Sequence, residues 1–286
     1  MRRRKHMPTI YIHPILLIFF VIAFLTGTFT ELVIILSIVL IHELGHYTVA
    51  HVFKWRIKHI MLWVFGGVMQ TEEHGNKDML EEILVTIAGP FQHIIIYGVT
   101  YLLAQGHVIP GSIIDIIYFY NTIILLFNLL PIWPLDGGKL LFLCLSCLFP
   151  YRHAYHMVII SSIIACLSLL ILQLFLFPFT LSAFLITCFL LLENINEWRH
   201  RFYVFIRFLL NRYKSGNVNK QKSTLVIPAN YTLMDVLSLF MQTKKHTIYV
   251  SLPNGGGSHL SEYDCLYYYF DGNHLNQSIG ELTKSE

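Results

Sequence analysis

Residues 42–46 read His-Glu-Leu-Gly-His. On a helix, side chains four apart share one face about a turn from each other, so both imidazoles can reach a single metal ion. Glu43, beside the first of them, can hold and deprotonate a water on that metal, whose pKa zinc lowers toward about 7. The chemistry on offer is metal-assisted hydrolysis. HExxH also occurs by chance in unrelated chains, and its bland reading is a polar helix-packing cluster without a metal. Here the motif lies inside the apolar run Leu32–Phe53, where an ionisable residue is costly and rarely kept without a use.

Two histidines leave zinc in need of a third protein ligand. Acidic residues are few in the apolar part of the chain, and Asp136 stands out in Asn128-Leu-Leu-Pro-Ile-Trp-Pro-Leu-Asp136-Gly-Gly138. Pro131 and Pro134 break an apolar run as it should leave the membrane. Irregular backbone at that depth is tolerated only when buried in protein or lining a wet cavity. Gly137 and Gly138 permit backbone shapes that would carry the carboxylate to a fixed point. Taken alone, Asp136 is also consistent with an interfacial turn.

The elements that must position these residues follow from the composition. Of the 286 residues 55% are hydrophobic and only 13% charged, about half the charged share of a soluble chain. Of 20 Lys+Arg, four fall in residues 1–5, six in residues 6–198 and ten from Arg199 onward. Such a distribution excludes a soluble enzyme, a disordered chain and a nucleic-acid binder with a basic face. Six apolar runs approach the roughly 20 residues that cross a bilayer: Ile10–Thr28, Leu32–Phe53, Ile83–Gln105, Ile113–Leu130, His156–Phe177 and Phe179–Leu192. A seventh, Leu140–Phe149, is too short to cross. With the N-terminus cytoplasmic, Lys54, Arg56, Lys58, Lys77, Lys139, Arg152 and the whole tail fall on the cytoplasmic side. The turns near Phe29–Glu31, Gly106–Ser112 and Pro178 carry no Lys or Arg, so the positive-inside bias places both termini in the cytoplasm. His42, His46 and Asp136 then share the cytoplasmic half of the membrane. Four of the five cysteines (Cys144, Cys147, Cys166 and Cys188) lie in apolar runs and read as packing residues, while Cys265 lies in the tail.

HExxH in one span and Asn-x-x-Pro-x-x-Pro-Leu-Asp-Gly in a later one resemble the site-2 protease family of intramembrane zinc metalloproteases. The resemblance covers almost the whole chain and is most specific over Asn128–Phe142. It implies one zinc ion on His42, His46 and Asp136, with Glu43 as general acid and base. It also implies a substrate segment cut near or within the bilayer. The six spans, short basic N-terminus and tail resemble the branch of the family that acts in bacterial sporulation. That branch implies a sigma factor precursor as substrate, membrane-bound inhibitor proteins as partners, and residence in the mother-cell membrane around the forespore. Many members carry Ala-Gly-Pro-x-x-Asn in the third span; this chain has Ala88-Gly89-Pro90-Phe91-Gln92-His93.

Other residues keep two readings. Residues 56–70 are β-prone, and Phe65-Gly66-Gly67 could form a hairpin that offers a strand edge to substrate, or an ordinary interfacial loop. Asn128 could hydrogen-bond the substrate backbone or satisfy backbone opened by Pro131. His93 is a hydrogen-bonded packing histidine, or acts behind the metal site or as a gate. In the tail, strand Thr224–Pro228, helix Thr232–Thr243, strand His246–Leu252, turn Asn254–Gly257 and helix Glu262–Tyr269 resemble a single CBS domain. That implies ATP or another adenine nucleotide, with Ser261-x-x-Asp264 matching the ribose-contacting pattern, and homo-oligomers through the domain. The other reading is a tail that only docks substrate or dimerises.

The expected fold class is an α-helical polytopic membrane protein with six transmembrane helices and a small α/β CBS-like cytoplasmic domain. The expected organisation is a membrane metalloprotease domain at 1–198, an interfacial helix and linker at 199–222, and the CBS-like domain at 223–286. A proton- or metal-coupled transporter is the rival reading. Internal repeats are common in transporters, and the six runs show none.

Overall fold

The computed structural model describes residues 9–12, 14–55, 57–63, 66–71, 77–176, 180–215, 221–251, 257–272 and 277–282. They fall into two compact units, Met1–Leu140 and Leu141–Glu286. In the first, α2 (Phe29–Val52), α3 (Met79–Gln105) and α4 (Gly111–Asn128) are each long and apolar enough to cross a membrane. At 1.5 Å per residue they measure about 36, 40 and 27 Å, against a hydrocarbon core of about 30 Å. Their polarity is inverted relative to a soluble bundle. Leu40, Ile41, Leu44, Leu84, Phe91 and Ile94 face outward, while His42, Glu43, His46, Thr86, His93 and Asn121 are buried. In lipid this is the stable arrangement, because polar groups find partners only inside the bundle.

The expected first span divides. Thr9-Ile-Tyr-Ile12, β-branched and aromatic, forms strand β1 (Thr9–Ile12). Pro14 then opens α1 (Pro14–Thr26), where a missing N–H costs nothing. At 13 residues α1 spans about 20 Å. The β-prone stretch after α2 forms β2 (Ile57–Trp63) and β3 (Gly66–Thr71), an antiparallel pair with Trp63 opposite Gly66. β1 joins β2 in parallel, giving the order β1-β2-β3. Gly66 thus begins β3, while Phe65 lies outside the described residues.

Small residues let α2 and α3 meet closely. A Cβ on Gly45 would fall 2.5 Å from the Ala88 carbonyl oxygen, so only glycine permits this approach. At the C-terminal end of α2, Trp55 packs with Ala50 and Val85 and donates its indole N–H to Glu81 at 3.0 Å. α4 ends at Asn128, and residues 129–135 form turns before α5 (Asp136–Leu148). The glycines after Asp136 serve a purpose other than the expected one. Both lie in the first turn of α5, and a Cβ would meet Leu129 O at 2.2 Å from Gly137 and Ile132 C at 2.5 Å from Gly138. They make room for the loop folded over them.

In the second unit, α6 (Tyr151–Phe175) is the fourth helix long and apolar enough to cross. It packs along α7 (Leu181–Ser215), with Tyr155 donating to Glu197 at 2.6 Å. α7 runs unbroken for 35 residues through Trp198, so the expected division at 198/199 falls inside one helix. The tail forms β4 (Gln221–Pro228), α8 (Leu233–Ser238), β5 (Lys244–Ser251), β6 (Gly257–Ser261), α9 (Glu262–Phe270) and α10 (Ile279–Leu282). β4 pairs β5 in parallel and β5 pairs β6 antiparallel, with Leu233, Leu237, Phe240, Ile248 and Leu260 in the core. The first tail helix is shorter than expected, ending at Ser238, and β6 is an added strand.

The tail is fastened to the helices of its unit. Phe240 O accepts from the Tyr151 N–H at 3.0 Å, at the start of α6. Arg212, near the end of α7, donates to the carbonyls of Met241 and Lys244 and to the Glu262 carboxylate. Burial, followed by the Arg212 charge, pushes the pKa of His246 down to about 4.

Candidate metal centre

α2 projects His42 and His46 one turn apart toward the start of α5, where Asp136 sits in the first turn. His42 Nε2 lies 3.0 Å from His46 Nε2, and each lies 3.1 Å from Asp136 Oδ2. All three residues are buried. The far atom of each ligand is tied down. His42 Nδ1 is 3.1 Å from His93 Nε2, and His46 Nδ1 is 2.7 Å from Val85 O. Lys139 Nζ donates to Asp136 Oδ1 at 3.1 Å, which turns Oδ2 toward the histidines. Glu43 is buried beside His42 on α2.

The donor set fits a zinc ion. Val85 O can only accept, so His46 carries its proton on Nδ1 and presents a bare lone pair at Nε2. That lone pair and a carboxylate oxygen converge, an arrangement a cation stabilises. A tetrahedral zinc with bonds of about 2.0 Å separates its ligand atoms by about 3.3 Å. The observed spacing is within a few tenths of that.

The remaining expected residues make local bonds. Asn128, at the end of α4, donates its amide to Ile124 O at 3.0 Å. Ser261 and Asp264 belong to the other unit and cap α9: Asp264 N–H donates to Ser261 Oγ at 3.2 Å, and Ser261 N–H to Asp264 Oδ2 at 2.8 Å. Thr232 and Asp235 make the same box at α8. A Ser/Thr followed three residues later by an acid before an apolar run is a helix-start signal, and it suffices to account for both. Sequence reasoning missed Asn121, whose Oδ1 accepts from His93 Nδ1 at 2.7 Å, together with Lys139 and Gly89. An amide in the middle of the apolar run of α4 was the available sign for Asn121.

The model of peptidase family M50 matches residues 30–111 and 104–172, which include all three converging donors and Glu43. Stage IV sporulation protein FB of Bacillus subtilis is 41% identical over 274 residues, covering 96% of this chain and 95% of that protein. This chain belongs to peptidase family M50. The M50 chain is also 33% identical over 111 residues to a zinc metalloprotease of Methanocaldococcus jannaschii, covering 38% of this chain and 32% of the relative. Among solved structures, the site-2 protease from Methanocaldococcus jannaschii shares the fold. Its TM-score is 0.54 at 24% identity, over 69% of this chain and 94% of that one. Membership of M50 makes the chain a zinc metalloprotease, and the outward-facing apolar helices make it an integral membrane protein.

Proposed function

We propose that this M50 protease holds zinc on His42, His46 and Asp136 and cleaves a membrane-associated protein, with Glu43 moving the proton. The observation that carries the reading is the convergence of three buried ligand atoms at 3.0–3.1 Å. Zinc, when bound, supplies Lewis acidity toward the scissile carbonyl and the attacking water. Glu43 takes the proton from that water and delivers it to the leaving amine nitrogen, general acid–base work worth about 10²–10⁴ in rate. Lys139 and Val85 hold two ligands in aim meanwhile. A peptide must be extended to be cut, and β3 lies at the edge of its sheet among the described residues. Substrate adds there as a further strand, with Gly66 at one end and the Asn128 side chain meeting the backbone nearer the metal.

Likeness to Stage IV sporulation protein FB along nearly the whole chain supports a role in sporulation. The substrate is then a sigma factor precursor that loses its pro-sequence, and membrane-bound regulators govern the step. The cell membrane is that of the mother cell around the forespore. The four long helices, α1 and the apolar start of α7 make six crossings, with both termini cytoplasmic as the basic residues require. For the tail we retain a docking role, toward substrate or a second copy. Ser261 and Asp264 are spent on capping α9, and none of the described residues favours the adenine-nucleotide reading.

Metal analysis of the purified protein with a cleavage assay of Glu43→Gln decides the proposal. The variant should keep zinc and lose cleavage by about 10²–10⁴. Normal cleavage by Glu43→Gln would remove Glu43 from the chemistry, and zinc without proteolysis in the wild type would favour transport.

A further inference from the structure

Behind the metal-facing side of His42 runs a chain of buried hydrogen bonds across three helices. His42 Nδ1 on α2 meets His93 Nε2 on α3 at 3.1 Å, and His93 Nδ1 meets Asn121 Oδ1 on α4 at 2.7 Å. Asn121 closes the chain by donating Nδ2 to the His93 carbonyl at 3.1 Å. His93 and Asn121 are fully buried.

The directions of these bonds are not free. A backbone carbonyl only accepts, so the end of Asn121 facing His93 O must be its NH₂. The amide oxygen therefore faces His93 Nδ1, which must carry a proton to bond with it. In an imidazole whose one N–H is on Nδ1, the other ring nitrogen carries the lone pair. Its second nitrogen, Nε2, is then a lone pair and an acceptor. His42 Nδ1 must donate to it, which leaves the His42 lone pair on Nε2, the atom 3.0–3.1 Å from His46 Nε2 and Asp136 Oδ2.

We infer that His93 and Asn121 are positioning residues that lock His42 in the tautomer and orientation needed to bind metal. The inference rests on the metal-site reading above and adds the device that prepares one ligand. The two histidines are prepared differently. His46 is held by a main-chain carbonyl that no substitution removes, whereas His42 depends on two side chains from two other helices. The site is therefore sensitive to substitution on α4 at a residue that touches neither metal nor substrate.

The test measures zinc affinity of the full-length protein in detergent, by competition with a colorimetric chelator, together with the visible spectrum of the cobalt-loaded protein. His93→Leu and Asn121→Leu should bind zinc about 10–100-fold more weakly than wild type and alter the cobalt bands. His93→Gln supplies an oxygen that accepts from His42 Nδ1 and should recover most of the loss. Leu variants that bind zinc as tightly as wild type would overturn the lock. So would a folded His93→Gln that binds zinc about 10-fold or more weakly than wild type, since an accepting oxygen at that place would then not hold His42; this arm is read against wild type and decides even if a Leu variant does not fold. Wild-type protein that takes up no zinc would instead overturn the metal-site reading, and the lock with it.

Discussion

Gly89 faces the metal ligands, and adding one methyl group there tests the site's tolerance. A Cβ at Gly89 would lie 2.2 Å from His46 Nε2, 2.4 Å from His46 Cε1 and 2.7 Å from His42 Cε1. Ordinary contact begins at about 3.5 Å, so the nearest pair is short by about 1.3 Å. The His46 ring can retreat only by giving up its bond to Val85 O, and α3 can retreat only by opening the Gly45–Ala88 crossing. Overpacking of this kind costs about 1–3 kcal/mol in stability. The larger effect is on the donor triangle, whose sides are 3.0–3.1 Å and cannot absorb such a shift. A misplacement of about 1 Å costs about 100-fold in rate, so Gly89→Ala should lose at least that much cleavage and bind zinc more weakly. A Cβ on Gly98, on the same helix, would have nothing within 4 Å, so Gly98→Ala is the control and should cleave normally. The assay pairs zinc content with cleavage of a membrane-associated substrate and a thermal melt. Wild-type zinc affinity and cleavage in Gly89→Ala would refute the placement of α3 against the ligands.

Two further outcomes concern the tail. Arg212→Leu leaves Glu262 buried without its guanidinium and should cost the second unit about 3–5 kcal/mol, read from the denaturation midpoint of the tail; a loss below about 1 kcal/mol would show that the pair is dispensable. His246, held near 4 by burial and by Arg212, stays neutral in the folded tail while the unfolded chain takes up a proton below about 6.5. Stability of the tail should therefore fall as pH drops from about 6.5 to about 4 and then level off, and His246→Gln should flatten that part of the curve. An unchanged slope in His246→Gln would assign the pH dependence to other groups.

Much of the site was legible because its signals are local. HExxH is a helical spacing, and a spacing of four on a helix needs no tertiary knowledge to place two imidazoles together. Asp136 was legible through its rarity, as a carboxylate beside a helix-breaking Pro-x-x-Pro in a chain that otherwise avoids charge. Membrane residence followed from the distribution of Lys and Arg. The first and sixth runs were less legible, since apolarity alone sets neither where a strand gives way to a helix nor where a helix ends. Their division at Pro14 and the continuation of α7 past Trp198 depend on pairing and packing partners far along the chain.

The sequence by itself determined which residues could ligate zinc, which could move a proton, and that the helices bearing them belong in lipid. It did so because residue type, helical period and charge scarcity are properties of short segments. Only the tertiary structure decided that Asp136 meets His42 and His46 across 90 residues, that Gly89 must lack a side chain, and that His93 and Asn121 stand behind His42. It also assigned Ser261 and Asp264 to a helix cap. Each of these depends on which atoms of distant elements come within about 3 Å, hydrogen-bond range, and that distance is set by how the helices cross.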